Sequence, residues 1–177
     1  MTKYIALLRG INVGGKNKIS MEELKAVFER EGFLNVVTYI NSGNILFDSD
    51  LDESSVKAVC EELITTNFDL DIPIGIITNE EIAEAITNAP EWWNRDPDAK
   101  HNAIFVISPA TAKEICEQIG IIKPEYEKMD YYGKVIFWSA PVKTFSRTRL
   151  SKAVHDTKIN RKITVRNANT TIRLMQM

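Results

Sequence analysis

Only two cysteines and two histidines occur in the 177 residues. Cys60 and Cys116 each fall on the apolar side of a helical pattern, and His101 and His155 stand apart from them. No metal-ligand spacing results, so no metal is expected, and the two thiols read as buried, reduced packing groups. Long hydrophobic runs are also missing. No apolar stretch approaches the ~20 residues that a membrane-spanning helix needs. After Met-Thr-Lys the first apolar run already stops at Arg9, too soon for a signal peptide. The expectation is a cytoplasmic protein with no membrane partner. The composition, 44% hydrophobic and 26% charged, is that of a globular chain with a real core.

Acid is scarce at the two ends of the chain. From Lys143 onward nine basic residues face a single acid, Asp156, so that segment carries +8 and residues 1–142 carry −10 of the total of −2. Residues 1–21 form a second basic island with Lys3, Arg9, Lys16 and Lys18 and no acid. Such islands attract phosphates or nucleic acid, or pair with the acidic helices between them.

The order of elements follows from periodicity and punctuation. Tyr4 to Leu8 is a continuous apolar run, as in a strand buried on both faces. Ser20 and Glu23 make a capping box ahead of Met21, Leu24, Val27 and Phe28 at helical spacing, and Gly32 stops that helix. Val36–Ile40 and Ile45–Phe47 flank "NSGN" as a hairpin. A helix with Val56, Cys60 and Leu63, the strand "IPIGIIT" and a short helix capped by Asn79 complete the first half. After a proline-broken stretch, "NAIFVIS" starts a second round. Ser108 and Pro109 open its first helix, Gly120 closes it, and "YEKMDYYGKVIFWSA" turns near Tyr132 and Gly133. A helix with Leu150 and Val154, a strand at 163–165 and a last helix from about Asn169 follow. The expected fold class is α+β: two tandem ferredoxin-like (β-α-β-β-α-β) units with antiparallel sheets, by duplication. Residues 1–88 form the first unit, 89–100 a linker, and 101–177 the second. Trp92 and Trp93 in the linker are expected to pin one half on the other or to form a dimer contact.

In that topology the loop after the first strand and the hairpin between the second and third lie at one end of the sheet. Arg9, Gly10, Asn12, Gly14, Gly15, Lys16, Asn17 and Lys18 therefore meet Asn41, Ser42, Gly43 and Asn44. Glycines permit positive φ and close backbone approach, and successive N–H groups of such a loop form an anion nest. No carboxylate lies in either loop. An anionic small molecule, phosphate above all, is the ligand class expected. The bland alternative is turn chemistry alone.

"GINVGGK" also fits the P-loop pattern G-x-x-x-x-G-K, but Asn17 stands where a Ser or Thr is needed. The helix starts at Ser20, four residues past the lysine, and a hairpin replaces the helical crossover of a parallel sheet. No nucleotide cofactor, and no other cofactor, is expected.

The stretch "YIALLRGINVGGKNKISMEELKAVFEREGFLNVVTYINSGNILF" resembles the opening signature of a bacterial domain-of-unknown-function family, number 1697. "TVRNANTTIRL" at 164–174 is similar to its closing T-x-R-N-x-x-T signature. The resemblance implies an α+β fold and a conserved bacterial protein, and brings no biochemical activity with it. It marks Arg9, Gly10, Asn12, Gly14, Gly15, Lys16, Ser42, Gly43, Asn44, Arg166, Asn167 and Thr170. Ala168 stands where an aromatic is more usual, which weakens any stacking contact there.

Two functions remain open. One is an anion-binding protein, with acylphosphatase-like hydrolysis as its narrower form. Acylphosphatases share the element order and orient water with an asparagine at the end of the second strand, where Asn41 lies here. Arg9 precedes the glycines instead of following them, and neither loop holds a general base. The other is a nucleic-acid or protein interaction module using the basic C-terminal segment with Tyr131, Tyr132, Phe137 and Trp138. Arg166, Asn167 and Thr170 read either as a helix cap or as a helix N-terminus facing an anion.

Overall fold

The computed structural model describes residues 1–177. It divides into two compact units, Met1–Asn79 with Met177, and Glu80–Gln176. Each contains a four-stranded antiparallel sheet with helices in β-α-β-β-α-β order, so the fold is α+β in two similar units.

The first unit comprises β1 (Thr2–Leu8), α1 (Met21–Glu31), β2 (Leu34–Tyr39), β3 (Asn44–Ser49), α2 (Glu53–Phe68) and β4 (Ile74–Thr78), with sheet order β2-β3-β1-β4. β1 is central and buried from Tyr4 to Leu8, which is why those five positions are all apolar. Tyr4, Ala6 and Leu8 join Leu24, Val27 and Phe28 of α1 and Val56, Cys60 and Ile64 of α2 in one core. Phe47 anchors it, with ring centroids 4.4 Å from Phe33 and 5.5 Å from Phe28. α1 begins where the Glu23 N–H bonds to Ser20 Oγ and ends at Gly32, whose φ is +100°. The Cys60 thiol is buried in the core and its pKa is pushed far up by desolvation, so it is a packing group and no nucleophile.

The second unit comprises β5 (Ala99–Val106), α4 (Ala112–Ile119), β6 (Lys128–Tyr132), β7 (Val135–Pro141), α5 (Arg149–Ala153), β8 (Ile163–Asn167) and α6 (Ala168–Gln176), with sheet order β6-β7-β5-β8. From Glu80 onward α3 (Asn79–Thr87) belongs to it as well. Lys134 Nζ lies 2.8 Å from Glu81 Oε1, and Tyr132 donates to Glu84 Oε1 at 2.6 Å. Ile104, Ile136 and Trp138 of the sheet pack with Ile115 and Ile119 of α4 and Leu150 of α5. Glu127, buried beside this core, accepts the N–H groups of Arg149 and Leu150. Burial raises its pKa against those two bonds.

Two expectations are corrected here. Pro109 does not open α4. Thr111 does, three residues before Glu114, with Thr111 Oγ1 accepting the Glu114 N–H and Glu114 Oε2 accepting the Thr111 N–H. Reciprocal capping satisfies two orphan donors, which a proline at the first helical position cannot do. Trp93 packs inside the second unit: its ring meets Phe137 edge-on at 5.0 Å and its Nε1–H donates to Asn102 O. No helix is long and apolar enough to cross a membrane.

Candidate functional site

The loop after β1 is a miniature hairpin. Asn12 N–H bonds to Asn17 O, and Lys16 N–H bonds to Val13 O, pairing Val13 with Lys16 as an antiparallel bridge. Gly14 and Gly15 form its tip with φ of +58° and +75°. Positive φ at both central residues is the requirement of a type I′ hairpin turn. Both residues thus hold the left-handed φ that this turn requires. The glycines are there for the turn. A Cβ at either would meet nothing within 4 Å.

One side chain ties the pieces together. Asn12 Nδ2 donates to Ile19 O and to Asn41 O, each at 2.9 Å, and Asn12 Oδ1 accepts the Ile19 N–H at 2.9 Å. Its amide thus joins the small hairpin, the lead-in to α1 and the β2–β3 turn. Asn17 Nδ2 donates to Gly10 O, and Leu8 N–H bonds to Gly43 O. Ile11 tucks underneath, 1% exposed, against Gly43. In the β2–β3 turn Asn44 is fully buried and donates to Tyr39 O and Ser42 Oγ. The convergence expected from topology is therefore real, and Asn12, Asn17, Gly43 and Asn44 build it. Ile40 in the same turn holds φ at +48°, a conformation that β-branched residues rarely adopt.

What faces outward differs. Lys16, Lys18 and Asn41 are exposed and Arg9 is half-buried. Lys16 and Lys18 pair with no carboxylate of the chain. Asn12, Gly15, Lys18, Ser20 and Asn41 line one open cleft that also reaches the first residue of α1. A helix N-terminus and a lysine on one cleft, with no acid in either loop, favour negative charge.

The second marked motif lies in the other unit. Arg166 is 7% exposed, and its Nη1 donates to Thr164 Oγ1 and Val165 O. Asn167 Oδ1 accepts the Thr170 N–H, capping α6, and Thr171 Oγ1 donates to Asn167 O. Asn167, Ala168 and Asn169 form one rim of a cleft of about 590 Å³ whose other walls include Arg95, Lys100 and His101. Of the aromatics, Phe137 and Trp138 are in the core and Tyr131 is exposed. Burial and the Asp130 carboxylate push the Cys116 thiol up to about 11.

The nearest thing to catalytic geometry escaped the sequence altogether: the His101 imidazole lies on the Ser139 hydroxyl. The two are 38 positions apart and meet only through the β5–β7 register, which no local signal specifies.

A family model described as protein of unknown function, DUF1697, matches residues 1–137. A solved structure of a conserved bacterial protein from Streptococcus pneumoniae is 30% identical, with a TM-score of 0.87, covering 99% of this chain and 97% of that one. No curated protein matches. With the family model spanning most of the chain and both units paralleled in a 30%-identical relative, the chain belongs to DUF1697, a family of proteins of unknown function.

Proposed function

We propose that the edge formed by residues 9–18 and 41–44 binds a small phosphate-bearing or otherwise anionic ligand. The observation that carries this is a fixed loop presenting unpaired charge: Lys16 and Lys18 meet no carboxylate, while the Asn12 amide holds the loop to the β2–β3 turn. A fixed backbone carrying the two lysines spares a ligand the cost of ordering the loop. Hydrolysis of an acyl phosphate, with Asn41 positioning water, is the narrower form of this reading. It relies on orientation, since no general base lies in either loop.

Calorimetric titration with inorganic phosphate and with acetyl phosphate tests it. Lys18→Ala should weaken phosphate binding about tenfold, ~1.4 kcal/mol, and Lys16→Ala comparably. Both side chains are exposed, so unfolding free energies should stay within about 0.5 kcal/mol of wild type. Identical titrations of variants and wild type would sink the proposal. Release of phosphate from acetyl phosphate by wild type, lost in Asn41→Ala, would favour the narrower form.

A second reading rests on the connection between β7 and β8. Lys143, Arg147, Arg149, Lys152, Lys158, Arg161 and Lys162 are all exposed there with one acid, Asp156. Nucleic-acid binding by this segment predicts retention of short RNA that falls steeply with salt. Arg147→Ala/Arg149→Ala should reduce it severalfold, whereas Lys16→Ala and Lys18→Ala should not. Retention indifferent to salt would exclude it.

A further inference from the structure

We propose that Ser139 and His101 form a nucleophile–base pair for acyl transfer, in a cavity of the second unit separate from the anion edge. His101 on β5 and Ser139 on β7 are direct partners across the ladder. Ser139 Oγ lies 2.5 Å from His101 Nδ1. The direction of that bond is set by the neighbours. The backbone N–H of Asn94 points at the same Nδ1 from 3.0 Å, and a backbone N–H can only donate. Nδ1 therefore carries the lone pair and Nε2 carries the hydrogen, which it donates to Asp96 O at 2.7 Å. The Ser139 hydroxyl must then donate to Nδ1. Nucleophile, base and the group that orients the base stand in sequence, as covalent catalysis by serine requires. Here a backbone carbonyl takes the place of the orienting carboxylate.

Both side chains line a cavity of about 340 Å³. Trp92, Pro124, Tyr126 and Pro141 give it apolar walls, and its charged rim is mixed, with Arg95 and Lys128 beside Asp96, Glu125 and Glu127. Ser139 is only 6% exposed, so the hydroxyl is shielded from bulk water. Apolar walls around a shielded nucleophile suit a small carboxylic ester with a short acyl chain.

The step balances without any further reactant than water. As Ser139 Oγ bonds to the ester carbonyl carbon, its proton passes to His101 Nδ1. The tetrahedral species collapses by breaking the carbon–alkoxide bond, and the alkoxide leaves with the proton from Nδ1. Water then gives a proton to Nδ1 while its oxygen attacks acyl-Ser139, and Ser139 regains that proton as the acid departs.

The test treats the full chain with a fluorophosphonate probe, maps the adduct by peptide mass spectrometry, and follows hydrolysis of p-nitrophenyl butyrate. Expected is one adduct, on Ser139, with a burst of p-nitrophenol. Ser139→Ala should abolish both. His101→Gln should slow labelling on the order of a hundredfold, with circular dichroism confirming an intact fold. A wild-type protein that neither labels nor hydrolyses overturns the proposal, whatever the variants do. So does an adduct on another residue, or one that persists in Ser139→Ala. A purely structural serine–histidine bond gives no adduct at all.

Discussion

Gly43→Ala should destabilise the protein by about 3 kcal/mol, measured by urea unfolding at neutral pH. Two costs add. At φ of +84° any side chain carries a backbone penalty, about 1–2 kcal/mol for alanine. A Cβ there would also sit 2.7 Å from Ile11 Cδ1 and 2.8 Å from Leu8 Cβ, both buried. Leu8 Cβ is fixed by the backbone of the central strand and cannot swing aside; overpacking of this kind costs typically 1–3 kcal/mol. Gly14→Ala is the control. It has φ of +58° and open space around the new methyl, so it should lose only the backbone part, about 1 kcal/mol. Equal losses in the two variants would show that Ile11 does not press on the turn as described.

Asn12→Ala should cost about 3 kcal/mol and should also weaken phosphate binding at the neighbouring lysines. The change removes two donated bonds and one accepted bond, each worth about 0.5–1.5 kcal/mol net. It also leaves an alanine at φ of +55°, a conformation that Asn tolerates better than Ala. Asn12→Gly separates the contributions, since glycine relieves the backbone and still lacks the amide. About 2 kcal/mol is expected for it. If Asn12→Gly matched wild type in stability, the three-way amide would be incidental and the loop would be held by its backbone bonds alone.

The element order could be derived from local signals because most of them act locally. The Ser20–Glu23 cap, Gly32, the apolar run of β1 and the two hairpins each declare themselves within a few residues. Where two local signals competed, the stronger chemistry decided: the Thr111–Glu114 pair displaced Pro109 as the start of α4. The convergence of the 9–18 loop with the β2–β3 turn followed from antiparallel topology. What each residue does there did not follow, because the Asn12 amide bonds to groups 7 and 29 positions away. The Gly14–Gly15 pair was legible as a turn but its lysine suggested phosphate geometry first. Arg166, chemically a plausible anion ligand, turns out to bond back to its own strand at Thr164 and Val165.

Two copies of one fold answer to the same packing rules, so chain length beyond what a connection needs marks where the copies have parted. In the second unit β5 reaches α4 through residues 107–111, and β6 turns to β7 at Gly133 and Lys134. At the equivalent places the first unit uses residues 9–20 and 40–43. The added length gives the core little, since Ile11 and Ile19 alone are buried from 9–20. It thickens one end of one copy and leaves the other trimmed. The asymmetry within the duplicate thus locates the first unit's distinctive end by economy of chain, without reference to charge or to any ligand.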